Sequence, residues 1–312
     1  MGFEMVGLGL CTHDYIAVVP RIPEFESSVR MRAVSEQGGG PAATATVAAR
    51  RLGVDAAFVG VVGDDHSGRF ILEEFRRYGV DISQMKMRPG ETSQFVICLV
   101  EESTGRRGFV SSPATVRPLQ IDEIDPGLIR SAGFLHLDGR FPEVSIEAAK
   151  IAREAGVTVV LDATTFSGTK DLLGYVDILI TSRFFYEEIA EGESPLDVVP
   201  RLLDYGAREA IITLGEQGCV CADEKGSFHL PAFDVQPVVD TTGCGDVFHG
   251  AYIAAKLRGY GLRKAAQFAS AVAGLKVRAL GGRQGIPDID EVLQFLQQRL
   301  PDEWAKPSSQ VS

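Results

Sequence analysis

From residue 113 onward the sequence alternates short apolar runs with helical patterns, and this limits the available folds more than any other feature. Residues 133–137, 157–161, 178–181 and 210–214 read as strands. Residues 144–154 and 171–173 between them read as helical. Strands separated by helices cannot pair as hairpins. They line up in parallel, through right-handed crossovers that place helices on the sheet faces. Upstream, residues 5–10 and 56–62 read as strands, and 42–52 and 66–78 as helices ended by Gly53 and Gly79. The expectation is an α/β three-layer sandwich with a mostly parallel central sheet.

Sheets of this kind bind ligands beyond the carboxyl ends of their strands. Four features fall at such ends: Asp14, the run Asp138-Gly139-Arg140, Asp162, and the run from Thr213 through Gly215 to Gly218. Each has a plainer reading as a turn, cap or surface residue. Residues 11–35 and 91–113 do not fit the alternation. They hold an alternating run at 16–19, a polar stretch at 20–32 with an extended look, and a hairpin (92–101 and 106–112) turning at 102–105. We expect a small β-sheet lid from these two segments. The remaining residues, 1–10, 36–90 and 114–305, form the core, and 306–312 form a disordered tail. The apolar face of the lid needs cover, from the active site or from a second subunit, so a homodimer through the lid is expected.

A second constraint is the stretch Asp240-Thr241-Thr242-Gly243-Cys244-Gly245-Asp246, which leads into a small-residue helix running to about Arg258. Small residues let bare amides approach a ligand. The first N–H groups of a helix lack intrahelical partners, and its dipole adds positive potential, so the turn suits an anion. A carboxylate in such a place repels a resident anion. It is useful if a phosphoryl group passes over it and a hydroxyl loses its proton there. Gly38-Gly39-Gly40-Pro41 likewise opens a helix of small residues at Ala42, Ala43 and Thr44. There, bare backbone can meet a substrate or pack tightly against the sheet.

The formal net charge of −11 argues against a nucleic-acid or acidic-membrane partner, which would want a basic face on the protein. It does not exclude a nucleotide held by amides. The five cysteines lack metal spacing and read as reduced thiols, and no apolar run approaches ~20 residues. These features, with no recognisable signal peptide, make the expected location the cytoplasm.

The Asp240–Asp246 stretch resembles the signature of the PfkB (ribokinase-like) carbohydrate kinases, and Gly38–Ala45 resembles that family's glycine-pair motif. The two stand in the family's order, roughly two hundred residues apart. Residues 38–48, 240–250 and 281–288 look most like the sulfofructose kinase and ketohexokinase branch. The resemblance implies a ribokinase-like fold and an ATP-dependent sugar kinase that phosphorylates a primary hydroxyl, of a fructose-like or 6-deoxy-6-sulfofructose-like ketose. It implies Asp246 as base, with the amides of Gly243, Cys244 and Gly245 as anion hole. It implies that Asp14, Gly39, Gly40, Thr44 and Arg140 meet the sugar, Arg140 as a donor fork for an anionic group. It also implies that Thr213, Gly215, Gly218 and Gly282 line the ATP. Magnesium accompanies ATP, with Asp162 as a weak ligand. Potassium would be held by main-chain oxygens of the Asp240 and Thr242 segment and of the 281–285 loop.

Four positions depart from the family pattern. Pro41 and Thr44 stand where many relatives carry Asn. Phe185 occupies the position of a Glu that, three residues after the first helical residue (here Ser182), organises magnesium through water. Cys244 replaces a common Ala, and a thiol at a helix N-terminus tends to a lowered pKa. Two rival readings are a nucleoside kinase of the same fold, with only Tyr15, Phe95 and Phe109 available for a base pocket, and a non-catalytic sugar- or nucleotide-binding protein.

Overall fold

The strands divide their side chains between two cores, and this is why helices cover both faces of the sheet. Ile178 and Ile180 pack into one core while Leu179 packs into the other. Val160 and Ile211 join the first, and Val159, Leu161 and Ile212 the second. A period of two along a strand, apolar on both sides, marks a strand buried on both faces. A computed structural model describes residues 2–304, so the expected tail at 306–312 lies outside the described residues.

In chain order the strands are β1 (Met5–Leu8), β2 (Thr12–Val19), β3 (Ala33–Gly39), β4 (Ala56–Val59), β5 (Val61–Gly63), β6 (Lys86–Arg88), β7 (Phe95–Glu101), β8 (Arg107–Ser111), β9 (Phe134–Leu137), β10 (Thr158–Ala163), β11 (Ile178–Thr181), β12 (Glu209–Thr213), β13 (Cys219–Asp223) and β14 (Gly226–Leu230). The longer helices are α1 (Pro41–Arg51), α2 (His66–Tyr78), α3 (Pro142–Glu154), α4 (Arg183–Ile189), α5 (Cys244–Leu257), α6 (Leu262–Lys276) and α7 (Ile289–Arg299). The main sheet has the order β14-β13-β12-β11-β10-β9-β1-β4. It is parallel from β12 to β4, with β13 and β14 added antiparallel at one edge. Helices α1, α2, α5, α6 and α7 contribute to the first core, and α3 and α4 to the second. No helix among the described residues is long and apolar enough to cross a membrane.

The lid is a separate sheet of order β3-β2-β7-β8. Strand β3 runs on to Gly39, past residue 35, so one continuous strand carries the lid into the start of α1. Asp14 therefore sits within β2, in the smaller sheet, and not at the carboxyl end of β1. The stretch 20–32 forms turns and irregular backbone. The run 56–62 breaks at Gly60 into β4 and β5, because β5 leaves the main sheet to pair with β6. Of residues 171–173, Asp171 and Leu172 lie in a turn and only Leu173 is helical, as the first residue of a short 3-10 helix at Leu173–Tyr175; a short α-helix at Phe166–Thr169 precedes them. Helix α6 stops at Lys276, and the Val277 carbonyl accepts N–H groups from Val239 and Asp240.

Candidate active site

Helix α5 begins at the carboxyl end of the sheet, and its first turn holds the residues singled out in the sequence. Gly243 caps it in the left-handed region (φ 74°), where a side chain would be strained, and the Cβ of any replacement would lie 2.8 Å from Gly282 Cα. Gly282 is thus buried against the turn. Gly245 is exposed and Asp246 half-buried, so the amides and the carboxylate share one solvent-reaching edge. Burial pushes the Asp246 carboxyl up to about 6; Asp138 and Asp14 push the same way, while Arg283 and Lys276 oppose. A carboxylate so placed is a better proton acceptor than an ordinary one.

Three carboxylates of two sheets converge on this edge. Asp138, just past β9, is a brace: its Oδ2 accepts N–H groups from Leu10 (2.8 Å) and Ala42 (3.3 Å), and its Oδ1 accepts from Arg140 (3.0 Å). It ties the ends of β9 and β1 to the start of α1. A Cβ on Gly9 would fall 2.3 Å from its Oδ2. Asp162, at the end of β10, is buried, and burial with the charges of Asp246 and Asp138 raises its pKa well above the usual range. Its Oδ1 lies 3.5 Å from His249 Nε2. Asp14 accepts the Thr12 hydroxyl at 2.6 Å and presses so closely on Gly39 that a Cβ there would come within 2.0 Å of its Oδ2. Burial raises its pKa too.

Beneath the glycines lies a residue that the sequence reading passed over. Arg283 is 1 % exposed, large and charged. Its guanidinium donates to Glu74 Oε2, to the Gly39 carbonyl (3.0 Å) and to the Thr44 hydroxyl (3.3 Å), and its amide donates to Gln37 Oε1 (2.9 Å). Glu74 Oε2 also accepts the Gly38 amide at 2.6 Å. A buried pair with every donor placed is the form in which such charges are tolerated. Thr44, expected to meet the sugar, is buried with its hydroxyl given to Arg283. Its role here is to hold the loop. The signal for Arg283 was its place in the 281–288 loop; nothing in the α2 sequence singles out Glu74.

The remaining expected residues lie around this edge. Gly40 has φ 94°, and a Cβ would meet the Leu10 carbonyl at 2.2 Å. The Arg140 side chain is exposed, and its charge lowers the pKa of both Asp138 and Asp162. Thr213 ends β12 and donates to the Thr181 carbonyl at 3.0 Å. Gly215 is exposed with φ 62°, whereas Gly218 is pinned in a turn, where a Cβ would meet the Leu230 carbonyl at 2.0 Å. Ser182 caps α4 by accepting the Phe184 and Phe185 amides, and Phe185 is fully buried, consistent with a core residue and not a metal shell.

Two expectations are corrected. Burial raises the Cys244 pKa, Asp240 and Asp246 add to the rise, and its Sγ rests 3.7 Å from the Ala273 carbonyl, so this thiol is not activated. The carbonyls of Asp240 and Thr242, expected to hold potassium, accept the ammonium of Lys276 instead, and the Leu280 carbonyl accepts Gln37 Nε2. The residues present do not fit a potassium ion there. Asp162 suits magnesium better: Asp246 and Asp138 both raise the pKa of this buried carboxyl, a repulsion that a divalent cation beside it would relieve.

The model of the family described as pfkB family carbohydrate kinase matches residues 4–289. An ATP-dependent ribose-1-phosphate kinase of Halopiger xanaduensis is 30% identical over 300 residues, covering 95% of this chain and 99% of that protein. The structure of Arabidopsis thaliana ribokinase complexed with ribose and ATP superposes with a TM-score of 0.82 at 24% identity, covering 95% of this chain and 99% of that one. A ribokinase II from E. coli in complex with ATP and Mg2+ gives 0.83 at 22% identity, with 95% and 99% covered.

Proposed function

Since the chain belongs to the pfkB family of carbohydrate kinases, and is an ATP-dependent phosphotransferase of that family, we propose that it phosphorylates a primary hydroxyl of an anionic sugar with Asp246 as base. The observation that carries this reading is the raised carboxyl of Asp246 in the first turn of α5, beside the amides of Gly243, Cys244 and Gly245. Asp246 accepts the hydroxyl proton as the oxygen attacks the γ-phosphorus, and the bond from that phosphorus to the β,γ-bridging oxygen breaks to release ADP. The three amides donate to the oxygens of the transferring group, where negative charge is spread in the transition state. Asp14 and the Gly39–Gly40 backbone receive the sugar hydroxyls. Thr213, Gly215 and Gly282 flank the nucleotide. Asp162 would hold Mg2+, which supplies charge neutralisation of the phosphates.

Arg140 bears on the substrate. It is an exposed donor fork whose field reaches Asp138 and Asp162, and it suits a phosphate or sulfonate on the sugar. A 6-sulfo-ketose, from the branch that residues 38–48, 240–250 and 281–288 resemble, and a ribose 1-phosphate, the substrate named for the Halopiger xanaduensis relative, both meet that requirement. The lid supports a homodimer: β8 is exposed along its whole length, and Phe109 and Val110 stand 55% and 64% exposed beside Ile97. A lid edge of this kind invites pairing with a second copy.

An ADP-release screen over ketoses, aldoses, phosphosugars, sulfofructose and nucleosides tests the reading. We expect turnover with an anionic sugar, a loss of roughly 10²–10⁴-fold in Asp246→Asn, and retained ATP binding in that variant. Wild-type turnover by Asp246→Asn would remove Asp246 from the role. An Arg140→Ala enzyme with unchanged KM for the anionic sugar would remove Arg140 from recognition. Preference for a nucleoside would favour the base-binding alternative.

A further inference from the structure

We infer that Lys276 is a covalently tethered replacement for a monovalent cation, and that its ammonium holds the anion-hole turn in shape. Lys276 is the last residue of α6 and is fully buried. Its Nζ donates to the Asp240 carbonyl at 3.0 Å and to the Thr242 carbonyl. No backbone N–H among the described residues donates to either oxygen, so without a cation both would be left as acceptors with no protein partner. The carboxyl end of a helix favours positive charge. Burial pulls the Lys276 pKa down, while Cys244, Asp240 and Asp246 pull it up.

The two carbonyls belong to a turn that is otherwise wired to the same helix end. The Asp240 carboxylate accepts the Thr242 amide (2.8 Å) and hydroxyl (2.7 Å) with Oδ1, and the Gly281 amide (2.8 Å) with Oδ2. The Val239 amide donates to the Val277 carbonyl at 2.8 Å. The ammonium closes this cage from inside. The next residue, Gly243, turns left-handed and opens α5. Lys276 touches no reacting atom. It is a positioning residue, and its charge also lowers the pKa of Asp246.

What is positioned rests on the proposed function; the replacement of an ion does not. The test compares melting temperature and ADP release in potassium and in tetramethylammonium, a cation too large for the cage. For the wild type we expect the same melting temperature in both, and rates that agree within about twofold. Lys276→Ala leaves the carbonyls without a cation. It is expected to lose about 10²-fold in turnover in tetramethylammonium and to recover part of it, with a rise in melting temperature, as potassium is added. A side chain that only fills space would produce no such potassium dependence. Wild-type protein that potassium activates or stabilises severalfold overturns the inference, as does a Lys276→Ala variant indifferent to potassium. If that variant does not fold, the wild-type cation profile decides. If no sugar is turned over, the kinase reading fails, and the melting-temperature comparison still decides the role of Lys276.

Discussion

Asp246 is held by its surroundings at a pKa useful for chemistry and unfavourable for folding. Burial is the largest cause of its rise to about 6, with Asp138 and Asp14 adding to it. As a base it must be ionised, so kcat/KM should fall about tenfold per unit below pH 6 and level off above it. A pH–rate profile without an acid limb between about pH 5 and 7 would show that another group sets the rate. The same shift acts on stability. A carboxyl whose folded pKa exceeds its unfolded value binds more protons in the fold, so its charge weakens the fold at neutral pH and this penalty fades as pH falls through 6. Asp246→Asn should therefore melt at a higher temperature than wild type at pH 7 while losing turnover. Calorimetry separates this outcome from a misfolded variant, which melts lower. Cys244 belongs to the same scale. Its raised pKa predicts slow alkylation by iodoacetamide at neutral pH and faster labelling only in alkali; rapid neutral labelling would show an open thiol.

Helices α1 and α5 meet face to face, and Gly250 makes the close approach possible. A Cβ at Gly250 would fall 2.0 Å from the Ala45 carbonyl and 2.9 Å from Ala48 Cβ. Gly250→Ala must push the helices apart, at a cost of ~1–3 kcal/mol. Because α1 starts beside Gly39 and Gly40 and α5 starts beside Asp246, the displacement should also lower kcat/KM. A denaturant midpoint equal to wild type would mean that the helices are not in this contact. The small-residue pattern of these two helices was legible in the sequence, as were the strand alternation and the glycine turn, because each follows from local periodicity or from a backbone that tolerates no side chain. What was not legible depends on partners distant in the chain. Nothing near Lys276 announces that its ammonium will reach the Asp240 carbonyl, and nothing near Glu74 announces Arg283. Asp14 reads as the end of the first strand, although residues 11–35 read as lid, because a short apolar run followed by a second strand looks the same whether or not the chain has changed sheets between them. Helix α6 ends at Lys276, where the carbonyl of its capping residue Val277 accepts the Val239 and Asp240 amides, a tertiary demand that propensity along α6 does not announce.

The whole molecule should respond to acid through a pair of histidines that neither motif contains. His136 on β9 is fully buried and His249 on α5 nearly so; their rings lie 5.3 Å apart. Both ring nitrogens of His136 and the Nδ1 of His249 lack a hydrogen-bond partner among the described residues. With no partner for a second proton, burial holds His136 neutral, its pKa lowered to about 3, and lowers that of His249 well below the usual range. In the unfolded chain both groups take up a proton near pH 6.5. Below that pH the unfolded state binds more protons than the fold, so the His136 contribution leaves stability intact above about pH 6.5 and erodes it as pH falls toward 3. The slope approaches ~1.4 kcal/mol per pH unit for one such group. Asp162, Asp14 and Asp138, whose raised pKa values act in the opposite sense, face the same region and offset part of the loss. The total curve alone is therefore ambiguous, and the difference between two proteins isolates the term. His136→Gln keeps a polar, uncharged side chain that does not titrate. Its stability relative to wild type, measured by urea unfolding between pH 7 and 4, should improve steadily as the solution is acidified. Parallel curves across that range would mean that His136 finds a proton acceptor in the fold, and that the region beneath Asp162 and Asp246 is wetter than its packing implies.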